Sequence, residues 1–293
     1  MTTETSPFIR RAVFIDVDGT LMRDGRYIPA SAIEAIQAAR RNGHLVFLST
    51  GRAMPELHGP ILDIGFDGAV TNGGGFASVG DELILSRVMP EEIVVRLEEF
   101  FTSRGVHWYL QSYDRLFAST GLPELMQGYL KRDQELHLEK ARAAGKSPDE
   151  LEFFSVSAKV FNDPDELDRT AIAKAVLLSD DPAAMESVLS DLADEFAVVG
   201  GTIPVPLGAS GEVTMEGVNK GAAILELLEY VGVDPAHAIG IGDNWNDVEM
   251  FEVCGLSIAM GNAAPEVQAL TDQVTSSLDD DGIHNAFTRN GLI

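Results

Sequence analysis

Asp16-Val17-Asp18-Gly19-Thr20 places two carboxylates two residues apart at the end of the apolar run Ala12-Val13-Phe14-Ile15. On a strand that spacing points both side chains the same way. Gly19 comes next and lets the chain turn away. The pair is therefore expected at the carboxyl end of a buried strand, where open α/β sheets bind ligands. Like charges held that close need a cation, or one must take up a proton. Three further stations suit the same chemistry. Leu45–Ser49 is a second apolar run, followed by Thr50-Gly51-Arg52. Lys220-Gly221 opens the helical pattern Ala222–Leu228. Ile239-Gly240-Ile241-Gly242 ends in Asp243-Asn244-Trp245-Asn246-Asp247. Together they supply a nucleophile, a metal cage, a hydroxyl beside backbone N–H groups, and a cation. Those are the parts of phosphoryl transfer.

Each station also has a plainer reading. Asp16 and Asp18 could open an EF-hand, but its fifth and sixth positions would be Thr20 and Leu21, where that loop needs Asp or Asn and then Gly. Gly240-Ile241-Gly242 looks like a dinucleotide fingerprint, but Trp245 stands where the third glycine belongs, and Asp243 and Asp247 would repel a pyrophosphate. A carboxylate cluster at a strand end suits Mg²⁺, a hard cation that takes oxygen ligands. Asp243, Asn244 and Asn246 are also good helix caps, which is compatible with ligation. Lys220 sits at a helix start, mildly against the dipole, which makes sense if an anion binds there. Thr50 and Gly51 aim a hydroxyl and N–H groups at an anion. Arg52 either covers substrate or pairs with the acidic surface.

At these residues the chain resembles the haloacid dehalogenase-like superfamily, matching its four motifs in order. Thr71-Asn72-Gly73-Gly74, Val218-Asn219-Lys220-Gly221, Gly242–Asp247, Ala259-Met260-Gly261-Asn262-Ala263 and Asp281-Gly282-Ile283 resemble its Cof-type subfamily. The resemblance implies a Mg²⁺-dependent phosphatase working through an aspartyl-phosphate on a small phosphorylated metabolite. Asp16 would be the nucleophile and Asp18 the general acid and base. Asp16, the Asp18 carbonyl and Asp243 would hold the metal, with Asp247 further out. Thr50, Gly51, Lys220 and Asn246 would hold the phosphoryl oxygens. A phosphomutase, or a non-catalytic metal- or phosphate-binding regulator, is the alternative.

The elements that must position these residues are those of an α/β fold. Residues from about 10 to 80 read as strand, helix, strand, helix, strand, with the helix Ala30–Arg41 stopped by Asn42-Gly43. A hairpin is expected over Phe76–Leu85, turned at Gly80-Asp81, and a helix from Val88-Met89-Pro90 to Phe101. His107–Tyr113, Ser155–Phe161, Lys174–Leu178 and Ala197–Val199 read as strands, and Pro182–Phe196 as a helix. Lys131–Gly145 reads as a charged, solvated helix. The expected organisation is a Rossmann-like parallel-sheet core in residues 1–86 and 208–293, with an inserted α/β cap at 87–207 that selects substrate. Trp245, Met250 and Phe251 are expected in the core.

The net charge of −25, from 46 acidic and 21 basic residues, argues against nucleic acid or an anionic membrane as partner. It also means that a phosphate needs local cations to approach. The one cysteine, Cys254, allows no intramolecular disulfide and reads as a structural thiol. No run approaches the ~20 apolar residues of a membrane span. A cytoplasmic monomer or small homo-oligomer is the expectation.

Overall fold

The computed structural model describes residues 8–23, 25, 27–144, 161–201 and 208–293. The chain runs β1 (Ala12–Ile15), α1 (Ala30–Arg41), β2 (Leu45–Ser49), α2 (Pro60–Ile64), β3 (Gly68–Thr71), β4 (Phe76–Val79) and β5 (Glu82–Ser86). It continues through α3 (Glu91–Ser103), β6 (His107–Gln111), β7 (Leu116–Ala118), α4 (Leu122–Ala144), β8 (Lys174–Ser179), α5 (Pro182–Leu192), β9 (Phe196–Gly200) and β10 (Ala209–Met215). It closes with α6 (Lys220–Val231), β11 (Ala238–Gly242), α7 (Val248–Val253), β12 (Leu256–Ala259), α8 (Pro265–Gln268), β13 (Gln273–Val274) and α9 (Gly282–Arg289).

The strands make two sheets. The first has the order β13-β12-β11-β1-β2-β3-β4-β5, parallel through β3 and antiparallel at β4 and β5. Its central strands are apolar throughout because both faces are covered. Val13, Ile15, Val46 and Leu48 pack toward α1 and α9, while Phe14 and Phe47 pack toward α6 and α7. Phe14 and Phe47 are register partners whose rings stack at 5.3 Å. Such a pair contributes about 0.5–1.5 kcal/mol beyond its burial.

The second sheet, β7-β6-β8-β10-β9, is antiparallel. Strand alternation splits its residues between two faces. Leu110, Ala175 and Leu177 face the α3 and α5 side, whereas Tyr109 and Val176 pack with Leu122, Met126 and Ala53. Ala53 lies just beyond β2, so this face looks onto the first layer.

This second layer extends further along the chain than 87–207. The expected return to the core at residue 208 does not occur there. Ala209–Met215 is β10, paired with both β8 and β9, so the chain leaves the second sheet only after Met215. The cause is register: Glu212 and Val213 find antiparallel partners in Val176 and Ala175, which no local pattern specifies. The helix expected over Pro182–Phe196 stops at Leu192, and Phe196 begins β9. The strand expected at 155–161 lies outside the described residues except for Phe161. Among the described residues, no helix is long and apolar enough to cross a membrane.

Candidate active site

The carboxyl ends of β1, β2 and β11 converge with the start of α6. Asp16 is the first residue beyond β1, and its N–H continues the ladder by donating to the Ile241 carbonyl at 3.0 Å. Its side chain is buried. Gly19 turns the chain at φ +93°, and a Cβ there would lie 2.3 Å from Asp243 Oδ2. Only glycine permits so close an approach. Thr20 Oγ1 then donates to Asp243 Oδ1 at 2.9 Å.

Asp16 and Asp18, expected to point the same way, come to lie in different surroundings. The strand ends at Ile15, so period-two alternation does not extend to the two aspartates. Asp16 turns inward. Asp18 is exposed and is gripped by Arg52, whose Nε donates to Oδ2 at 2.7 Å and Nη2 to Oδ1 at 2.6 Å. Arg52 Nη1 donates to the Glu56 carbonyl at 3.0 Å. Arg52 thus pairs with Asp18 rather than with the surface at large.

Asn219 caps α6, its side chain accepting from Ala222 N–H at 2.8 Å. Lys220, the first helical residue, is buried. Its Nζ donates to Asp16 Oδ1 and to Asp247 Oδ1, each at 2.6 Å. Asp247 is fully buried, and its Oδ2 accepts from the N–H groups of Asp243 and Asn244 at 3.0 and 3.2 Å. Carboxylate oxygens of Asp16, Asp243 and Asp247 all lie within 4.8 Å of one another.

Three carboxylates here share one ammonium. Burial, and then the charge of Asp247, raise the Asp16 carboxyl well above its ordinary range despite Lys220. The same two causes raise Asp243 to about 6. Burial by itself would lower Lys220, but Asp16 and Asp247 outweigh it and hold the ammonium charged. The cluster is short of positive charge, and a divalent cation would supply it.

Thr50 lies at the end of β2, the strand beside β1. Its N–H donates to Val70 O at 2.9 Å, its carbonyl accepts from Gly73 N–H at 3.0 Å, and its Oγ1 accepts from Arg52 N–H at 3.1 Å. Gly51 offers its carbonyl to Lys174 Nζ at 2.7 Å. Asn246 is half-buried, and its Oδ1 has no partner among the described residues. Asp16, Asp243, Asp247 and Lys220 are therefore joined directly. Asp18 with Arg52, and Thr50 with Gly51, stand beside them. Trp245, expected in the core, is 57% exposed, whereas Met250 and Phe251 are buried as expected. The tight turn that lets Asp247 reach Asp243 N–H leaves Trp245 on the outside of the loop.

Sequence reasoning missed Lys174, Glu212, Glu56 and Gln111. Glu56 Oε2 accepts from Ala53 N–H at 2.9 Å and from Gln111 Nε2 at 2.8 Å, joining the loop after β2 to the second sheet. One signal was present: a lysine opening a strand before the apolar run Ala175–Leu178 is out of place unless it is paired.

The profile of the haloacid dehalogenase-like hydrolases matches residues 13–287. The chain is 26% identical over 290 residues to the 5-amino-6-(5-phospho-D-ribitylamino)uracil phosphatase YwtE of Bacillus subtilis, covering 93% of this chain and 95% of that protein. It is 24% identical over 280 residues to a phosphoglycolate phosphatase of Methanothermobacter thermautotrophicus, covering 95% of this chain and 98% of that one. A solved structure from Geobacillus kaustophilus superposes with a TM-score of 0.76 at 26% identity, over 97% of this chain and 100% of that chain. With the profile spanning all three strand-end motifs and the helix that carries Lys220, the chain belongs to the haloacid dehalogenase-like hydrolases.

Proposed function

We propose that this hydrolase is a Mg²⁺-dependent phosphatase that cleaves a small phosphomonoester through an aspartyl-phosphate. One observation carries the reading: Asp16 is buried with one oxygen on Lys220, while Asp18 stands outside that cluster on Arg52. Two neighbouring carboxylates in such different surroundings suit different tasks.

The acidic cluster fits a divalent cation. Its donors are hard oxygens, burial and then mutual repulsion raise Asp16 and Asp243, and the Asn246 oxygen is unpartnered among the described residues. Asp16, the Asp18 carbonyl and Asp243 would hold Mg²⁺, with Asp247 behind them. When bound, the metal offsets the carboxylate charge that would otherwise repel a phosphate dianion.

Asp16 attacks phosphorus in line, forming the Asp16 O–P bond as the ester O–P bond breaks. Asp18 gives a proton to the departing alkoxide. It then takes one from the water that hydrolyses the acyl phosphate, freeing Asp16 and inorganic phosphate. Arg52 keeps Asp18 oriented between turnovers. Lys220, the Thr50 hydroxyl, Gly51 N–H and Asn246 stabilise the equatorial oxygens. The second sheet and its helices act as the cap that chooses the organic part of the substrate and excludes water.

The test is phosphate release from a panel of phosphorylated metabolites, with and without Mg²⁺. The panel includes 5-amino-6-(5-phospho-D-ribitylamino)uracil and phosphoglycolate, after which two relatives are named. Free phosphate, dependent on Mg²⁺ and lost in Asp16→Asn, supports the reading. An isomerised phosphate ester with no free phosphate would make the protein a mutase, and no reaction at all would make it a regulator.

A further inference from the structure

Lys174 opens β8 and is 1% exposed. It shares a sheet face with Gln111 and Val176, the face that looks onto the loop after β2. Its Nζ pairs with Glu212 Oε2 at 2.7 Å and donates to the Gly51 carbonyl at 2.7 Å. A Cβ on Gly51 would lie 3.3 Å from that Nζ. The second layer therefore presses a buried ammonium directly onto the phosphate-binding loop of the first.

The Gly51 carbonyl and the Arg52 N–H belong to one peptide plane. Lys174 holds the carbonyl end, and the N–H end donates to Thr50 Oγ1 at 3.1 Å. Hydrogen bonds in series polarise one another, most strongly when one partner is charged. An ammonium on the carbonyl makes the N–H a stronger donor. Thr50 Oγ1, already accepting that N–H, keeps its own proton to donate. Polarisation and orientation thus pass from Lys174 through one peptide to one hydroxyl.

We propose that Lys174 is a positioning residue for phosphoryl transfer: by holding the Gly51–Arg52 peptide it makes the Thr50 hydroxyl a donor to the phosphoryl group. The donor is complete only when the second sheet is seated on the first. The inference rests on the reading above in which Thr50 holds phosphate. The plainer account, a stabilising ion pair between layers, explains less. A buried pair can often be replaced by neutral side chains at little cost to stability, and that account gives no reason for the contact with Gly51.

The experiment is a double-mutant cycle on the full-length, Mg²⁺-loaded protein. Lys174→Met with Glu212→Gln removes both charges, so neither is left buried and uncompensated. It is combined with Thr50→Val. The readouts are kcat and KM for p-nitrophenyl phosphate and inhibition by inorganic phosphate, on proteins that melt cooperatively. The paired variant should lower kcat/KM about tenfold, as loss of a charge-assisted hydrogen bond implies. In the Thr50→Val background it should cost less than about twofold further, since the shared route is already broken. Lys174→Arg keeps the charge and should recover part of the loss; it also replaces the paired variant if that one does not fold. Losses that multiply across the two backgrounds overturn the proposal. So does a neutral paired variant beside a damaging Thr50→Val, which leaves the phosphate role of Thr50 standing. An inert Thr50→Val removes that role and the proposal together.

Discussion

Two buried groups of charges lie on either side of the loop after β2, and they differ in balance. At the end of β1, Asp16, Asp243 and Asp247 crowd around a single Lys220. Across the loop, Lys174 pairs with Glu212 and donates a second hydrogen bond to a neutral carbonyl. The first group carries surplus negative charge and asks for a cation. The second sets a cation directly against an anion. Burial of charge is therefore not in itself a sign of a metal site; an excess of one sign, in a cluster of hard donors, is.

The comparison breaks most visibly at Asp16. Asp16→Asn keeps the shape of the side chain but removes the proposed nucleophile and one charge from the crowded group. Turnover should fall by at least about 10³-fold with the fold retained. A variant keeping a tenth of wild-type kcat would end nucleophilic catalysis by this residue.

Calorimetric Mg²⁺ titration compares the two groups directly. Asp243→Asn takes a proposed ligand from the unbalanced group and should weaken binding at least about tenfold, the loss seen when even a group that only supports a ligand is removed. Glu212→Gln, in the balanced pair, should leave Mg²⁺ affinity within about twofold. Equal losses in both would mean that the two groups are one electrostatic unit.

Melting against pH sharpens the same point. Asp243 is raised to about 6 from the ordinary 3.8. Between those values the folded state binds more protons than the unfolded one, so this group's contribution to metal-free stability falls as pH rises. Mg²⁺, on the proposed reading, binds the deprotonated cluster and should reverse that trend. The gain in Tm from Mg²⁺ over EDTA should therefore grow from pH 5 to pH 7. A gain independent of pH would show that the cluster is already ionised without metal.

The smallest effect concerns Cys254, buried at the end of α7. Burial pushes its thiol up to about 12. A thiol reagent at pH 8 should leave the folded protein unmodified and label it fully in denaturant. Rapid labelling of the native protein would mean that the segment opens.

What the chain alone determined is local. The apolar runs at β1, β2 and β11 mark a sheet buried on both faces, Asn42-Gly43 stops α1, and Asn219 caps α6 beside Lys220. These features come from periodicity and capping, which neighbouring residues settle among themselves. The tertiary structure decided everything that needs distant partners. Asp18 is held by Arg52 because a guanidinium stands at the end of the next strand. Ala209–Met215 joins the second sheet because β8 and β9 offer antiparallel edges. Lys174, 123 residues from Gly51 along the chain, finds that carbonyl only when the two layers pack. Hydrogen-bond partners for buried charges are set by which surfaces meet, and no residue's immediate neighbours encode that meeting.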